Sequence, residues 1–167
     1  WKMKPISSWL AHTIVGGLLF SVGWFLVMSN QLNNGIIYIG ISFFEYMLPY
    51  LLCFSSVVLL ISPLNINRDT ELDDSTFSTR FGKISTLLLS LIFICIAFIF
   101  ALYHGNPLAS TAALVSIPFF IFTVIRGFEK DVLRAIRYPI FILNFFTLSI
   151  YPWLFVPLLV TFYLSKY

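Results

Sequence analysis

Charge is what this sequence has least of. Lys, Arg, Asp and Glu make up 10% of its 167 residues, against about 25% in an ordinary soluble domain. Apolar residues reach 59% and aromatics 19%, with a mean hydropathy of +0.94. So little polar surface could not cover a water-facing exterior, which excludes a cytosolic globule and a disordered chain. Cysteine is nearly as scarce: Cys53 and Cys95 both fall in apolar runs and read as small buried hydrophobes rather than a disulfide. His12 and His104 lie far from both, so no Cys/His metal cluster of the zinc type exists. The ten basic residues are scattered over connectors, which leaves no basic patch for nucleic acid. No internal repeat or low-complexity tract is present. The chain opens on Trp1 and its first apolar run is too long for a signal peptide; it is expected to belong to a longer protein or to be numbered from its first visible residue.

What is present is long apolar runs. A bilayer core takes about 20 apolar residues per helix, and five stretches qualify: Ser7–Met28, Ile36–Ile61, Ile84–Tyr103, Leu108–Ile125 and Tyr138–Ser165. A membrane β-barrel would show runs of about ten residues with strict alternation, and none occurs. The expectation is an all-α polytopic bundle, residues 1–167 forming one transmembrane helical domain. Lys2, Lys4, Arg68, Arg80, Lys83, Arg126, Lys130, Arg134 and Arg137 fall before the first span or in the second and fourth connectors. The other two connectors hold no Lys or Arg. Nine of the ten basic residues thus share one side, which the positive-inside rule makes cytoplasmic. The N-terminal end is then inside and the C-terminal end outside, in a bacterial inner membrane or its equivalent. The external turns, Asn33-Asn34-Gly35 and Gly105-Asn106-Pro107, are short, so the helices they join should be antiparallel neighbours.

One connector, residues 63–83, concentrates acids on the cytoplasmic side: Asp69, Glu71, Asp73 and Asp74. If it is helical, Asp69 and Asp73 stand at i and i+4 on one face and repel unless a cation lies between them. Mg²⁺ takes one or two protein carboxylates and fills its shell with water and phosphate oxygens. Arg68, Arg80 and Lys83 are close enough in sequence to hold the same phosphates. The segment therefore reads either as a Mg²⁺–diphosphate site or as a solvated loop whose charges only enforce topology.

Asp69-Thr-Glu-Leu-Asp73, followed by Ser75-Thr76-Phe77-Ser78-Thr79-Arg80-Phe81-Gly82-Lys83, resembles the second aspartate-rich motif of the UbiA superfamily of intramembrane prenyltransferases. There a D-x-x-x-D is followed by a Thr-containing stretch and Arg-x-Gly before the next helix. Lys4-Pro5 with His12, Gly16-Gly17 and Gly23-Trp24 looks like the family's span after its mid-chain loop. Tyr138-Pro139 and Tyr151-Pro152-Trp153 through Tyr167 look like its last helix. The family has nine helices, N-terminus inside and C-terminus outside, and the five spans match helices five to nine. Two features depart from it: the first motif, N-D-x-x-D-x-x-x-D, is absent, and the stretch from Asp73 to Arg80 is short and lacks the customary glycines. This chain alone therefore cannot complete the metal site.

The resemblance implies transfer of an isoprenyl group from its diphosphate to a lipophilic acceptor with Mg²⁺. Asp69 and Asp73 would be metal ligands and Asp74 an auxiliary ligand or base; Arg68, Arg80 and Lys83 would contact the diphosphate. The alternative on the same fold is a non-catalytic subunit, or a lipid- or pigment-binding scaffold, in a larger membrane complex. Glu45, a charge about a third of the way into the second span, should face the bundle interior or a water-filled cavity, either lining the acceptor pocket or bonding a neighbouring helix. His12 is expected to make a structural hydrogen bond or a substrate contact. Gly16, Gly17 and Gly23 read as packing positions. Arg126–Arg137 reads as an amphipathic connector that anchors at the interface or closes over the diphosphate.

Overall fold

The computed structural model describes residues 5–32, 41–71 and 76–150, together with Val156 and Val160. Among the described residues every element is helical. Five long helices, α1 (Pro5–Leu32), α2 (Ile41–Leu64), α5 (Lys83–Tyr103), α6 (Pro107–Arg126) and α7 (Glu129–Ile150), are supplemented by two short ones, α3 (Ile66–Glu71) and α4 (Phe77–Phe81). Three of them are long and apolar enough to cross a membrane: Phe43–Leu64, Lys83–Tyr103 and Pro107–Arg126. The last two match the third and fourth expected spans to within one residue at each end, and the first overlaps the second, Ile36–Ile61, of which residues 36–40 lie outside the described ones. The first expected span lies within the single helix α1. Most of the fifth beyond Ile150 falls outside the described residues.

Successive long helices pack side by side, and α2 also touches α7, so the bundle wraps around α2. The α5–α6 seam shows how an apolar bundle holds together where burial of oily surface discriminates little. Ala97, Ala101, Ala109, Ala112 and Ala113 are all at most 2% exposed, and such small side chains let two backbones approach closely enough for extensive dispersion contact. Hydroxyls buried in the same seam are satisfied within their own helices: Ser90 donates to the Leu87 carbonyl at 2.7 Å and Ser116 to that of Ala112 at 2.6 Å. They cost little to bury because the backbone already supplies the acceptor.

α1 meets α2 through its glycines. A Cβ on Gly17 would lie 2.5 Å from Leu51 Cδ2 and 3.2 Å from its Cα, and one on Gly16 would lie 3.2 Å from the Phe54 ring. The packing role expected for these two positions holds.

The turns are built from local chemistry. The Asn106 side chain accepts from Ala109 N–H at 3.2 Å and caps α6, with Pro107 following at its first position. Gly127, at φ +64°, closes α6 in the left-handed conformation that a Cβ disfavours. The fourth connector is consequently shorter than its sequence suggests. Only Gly127 and Phe128 separate α6 from α7, and residues 129–137 are the opening turns of α7 rather than a detached amphipathic segment. Pro139 lies inside that helix, where it forgoes one backbone bond without ending it.

The connectors can be assigned to ends of the bundle by their contacts. Lys83 Nζ donates to the Gly127 carbonyl at 2.9 Å, and Trp9 on α1 meets Phe77 on α4 edge-on at 5.7 Å. The start of α1, the 65–83 connector and the α6–α7 turn thus share one end. Tyr50 on α2 bonds Asn106 of the α5–α6 turn toward the opposite end.

Candidate functional site

The second connector is helical in most of its described parts. Asn65 N–H bonds the Ser62 carbonyl and Asp69 N–H bonds that of Asn65, so α3 follows α2 after a single bend. Thr76 and Thr79 then cap α4 reciprocally: the Thr76 hydroxyl accepts from Thr79 N–H, and the Thr79 hydroxyl accepts from Thr76 N–H at 2.8 Å. The Thr76-Phe-Ser-Thr79 spacing is that of a capping box, with threonine in the place usually held by Glu or Gln. Ser62 Oγ accepts from Ser78 N–H at 2.8 Å and ties α4 down onto the end of α2.

Folded back in this way, the connector and α1 enclose a cleft of about 280 Å³ at the end of α2. Its apolar wall includes Val58, Leu59 and Ile61 of α2, with Trp9 and Phe77 beside them. Its polar wall consists of Ser8, His12, Ser62, Asn65, Asp69 and Thr76. Trp9 fastens the arrangement, donating from Nε1 to the Ser55 carbonyl at 3.4 Å and contacting Phe77 and Phe93 with ring centroids 5.7 Å away in each case. Buried hydroxyls at Thr13, Ser55 and Ser78 find no partner, and each belongs to a segment that walls the cleft.

Two of the residues proposed from sequence meet here. Asp69, half-buried, and His12 line the same cleft from α3 and α1, 57 positions apart. His12 Nδ1 lies 2.7 Å from the Ser8 carbonyl. A carbonyl can only accept, so Nδ1 carries the proton and Nε2 of the neutral ring is the basic nitrogen. The structural hydrogen bond expected for His12 is therefore present, and the second nitrogen stays available.

The other residues are placed differently. Arg80 is exposed at the end of α4, its guanidinium 5.7 Å from the Phe81 ring, and does not line the cleft. Lys83 spends its ammonium on the Gly127 carbonyl, fastening the α6–α7 turn. Glu45 lies on the exposed face of α2 among the described residues, outside the interior that was one of the two places expected for its charge. The reason is register: Phe43, Met47 and Tyr50 form the buried stripe, and at about 100° per residue position 45 is turned about 160° from both 43 and 47. Arg68 belongs to α3, and its side chain lies outside the described residues, as do Asp73 and Asp74. Asn65, Thr76 and Phe77 were missed as site residues because only the fold-back of the connector brings them to α1, and Trp9 of α1 because only that fold-back gives it a cleft to wall.

The donor set in the cleft is oxygen-rich: a carboxylate, an amide carbonyl and hydroxyls. That suits a hard cation, and Mg²⁺ needs only one or two carboxylates when phosphate oxygens and water complete its shell. Among the described residues no three of His, Cys, Asp and Glu group together around a point, so this part of the chain does not make a metal cage by itself. No family model, curated protein or solved structure matches the chain.

Proposed function

We propose that this chain is the C-terminal part of an integral membrane prenyltransferase of the UbiA type. It would have five spans, its N-terminal end inside and its C-terminal end outside, and would move an isoprenyl group from its diphosphate to a lipophilic acceptor. The observation that carries the reading is the shared cleft. The described parts of the connector, α3 and α4, lie against the bundle end, so that Asp69 and His12 line one cavity together with the apolar side chains of Val58, Leu59 and Ile61. A polar mouth above an oily wall is what an amphiphile with a diphosphate head and a hydrocarbon tail requires.

In this proposal Asp69, with Asp73 and Asp74 from the same connector, would hold Mg²⁺ through carboxylate oxygens. Bound there, it would supply the positive charge that makes diphosphate a better leaving group. Asn65 and Thr76 orient phosphate oxygens by hydrogen bonding. Trp9 and Phe77 offer aromatic faces to an allylic cation and, with Leu59, exclude the water that would quench it. His12, held by Ser8, can take up the acceptor's proton on Nε2.

A second reading, a non-catalytic subunit or lipid-binding scaffold of the same fold, is favoured by Lys83, whose ammonium is committed to the Gly127 carbonyl. The two are separated by measuring binding and turnover of a labelled prenyl diphosphate by the full-length protein in liposomes, with and without chelator. The enzyme reading expects Mg²⁺-dependent turnover that Asp69→Asn abolishes while helicity is retained. Mg²⁺-independent binding without turnover would leave only the scaffold.

A further inference from the structure

The opposite edge of the same bundle end carries a second cavity that the prenyl reading does not use. It measures about 160 Å³, several times the roughly 30 Å³ one water occupies in the liquid, and is lined by Phe119, Phe122, Arg126, Asp131 and Arg134. The turn that builds it is tightly determined. Gly127 N–H bonds the Thr123 carbonyl at 2.9 Å, and the Thr123 hydroxyl lies 2.8 Å from the Phe119 carbonyl and 3.1 Å from that of Asp131, pinning the start of α7 to the end of α6. Both cations are steered but not consumed. The Arg126 guanidinium sits 5.2 Å from the Phe122 ring. Arg134 makes one 3.2 Å contact to the buried Asp131 carboxylate while its side chain stays 60% exposed. Phe119 closes the floor by stacking on Tyr138, centroids 4.0 Å apart.

The surroundings indicate the ligand. Lys130, Arg134 and Arg137 are all exposed and fall within about 60° of one another on α7 by helical periodicity. With Arg126 they make four cations against the two carboxylates of Glu129 and Asp131 in twelve residues. Beyond this collar the same helices expose large apolar side chains: Phe122 at 48%, Ile125 at 73% and Phe141 at 64%. A cluster of four or more Lys/Arg bordering a membrane helix attracts anionic headgroups, and a guanidinium fork matches phosphate oxygens two at a time.

The geometry points to a headgroup site for an anionic glycerophospholipid: its phosphodiester held between Arg126 and Arg134, its acyl chains lying along Phe122 and the exposed apolar face. Such a lipid would lock the α6–α7 turn, which Lys83 fastens from the other side to the connector bearing Asp69. The site rests on the membrane reading but not on prenyl transfer.

The test is lipid retention by the full-length protein in mild detergent, measured by native mass spectrometry during titration with phosphatidylglycerol, phosphatidylcholine or inorganic phosphate. Wild type should retain phosphatidylglycerol at least tenfold more tightly than phosphatidylcholine. Arg126→Gln with Arg134→Gln should weaken phosphatidylglycerol about 25-fold, at roughly fivefold per cation, with helical circular dichroism unchanged because a glutamine amide at 134 can still donate to the Asp131 carboxylate. Asp131→Asn should tighten it, by removing a negative charge from beside the phosphate, whereas a merely structural Asp131–Arg134 pair would give no gain. Asp69→Asn should leave lipid retention unchanged even where it ends prenyl diphosphate binding. Equal retention by the double variant overturns the proposal, as does inorganic phosphate binding as tightly as the lipid. A double variant that loses prenyl diphosphate rather than phosphatidylglycerol also overturns it, and makes the arginines part of the first cleft.

Discussion

The Tyr50–Asn106 pair permits a prediction in which signs as well as sizes can fail. Tyr50 Oη donates to Asn106 Oδ1 at 3.0 Å, and both residues are 1% exposed. The same Oδ1 accepts Ala109 N–H, which fixes the amide's orientation since a backbone N–H needs an oxygen. The amide's Nδ2 is buried without a partner. Asn106→Ala therefore removes a helix cap worth about 1 kcal/mol and takes from the Tyr50 hydroxyl a bond of about 0.6 kcal/mol, leaving it beside Tyr46. It also removes an orphan donor whose burial cost about the same. The net loss should be about 1 kcal/mol, below the sum of the contacts removed. Tyr50→Phe should cost about 0.6 kcal/mol, typical of an interhelical hydrogen bond in a membrane protein, since the cap survives. The double variant should be less destabilised than the singles added together, by about 0.6 kcal/mol, because both singles remove the same Tyr50–Asn106 bond. Unfolding in mixed micelles of increasing denaturing detergent, followed by helical circular dichroism, gives all four free energies. Additivity within about 0.3 kcal/mol, or an Asn106→Ala loss above about 3 kcal/mol, would refute the accounting.

Three further outcomes are expected. Gly17→Ala should destabilise by about 1–3 kcal/mol, because the new methyl meets the Leu51 backbone; Gly16→Ala, facing only the edge of the Phe54 ring, should stay within about 1 kcal/mol because helix propensity offsets the contact. Thermal unfolding of the two variants side by side decides this, and equal losses would remove the close α1–α2 approach as the cause. Lys83→Met should lower stability by about 0.5–1.5 kcal/mol and change prenyl diphosphate affinity less than twofold; a tenfold affinity loss at unchanged stability would return Lys83 to the substrate. In a background lacking Cys53 and Cys95, cysteines at Thr79 and Lys130 should react with an impermeant thiol reagent only from the cytoplasmic side, and one at Tyr103, 84% exposed, only from outside; labelling of Thr79 and Tyr103 from the same side would end the proposed topology.

Composition and run length alone read the chain as helical with five spans, and three helices among the described residues are long and apolar enough to cross a membrane, because apolar length is a local property that no packing can reverse. The close approach at Gly16 and Gly17 was legible for a similar reason, since a missing side chain is itself the space a neighbour fills. Helix register decided the face of Glu45: a charge within an apolar run left the interior and a water-filled cavity both open, and the buried stripe of Phe43, Met47 and Tyr50 turns it away from the described core. Tertiary structure alone decided the cleft. Asp69 and His12 are 57 residues apart and share a cavity because Thr76 and Thr79 cap a five-residue helix that Ser62 and Trp9 pull onto the bundle end. It also separated Lys83 from Asp69, since an ammonium that reads as a phosphate ligand in sequence bonds whichever carbonyl the fold brings within 3 Å, here that of Gly127 at the far turn.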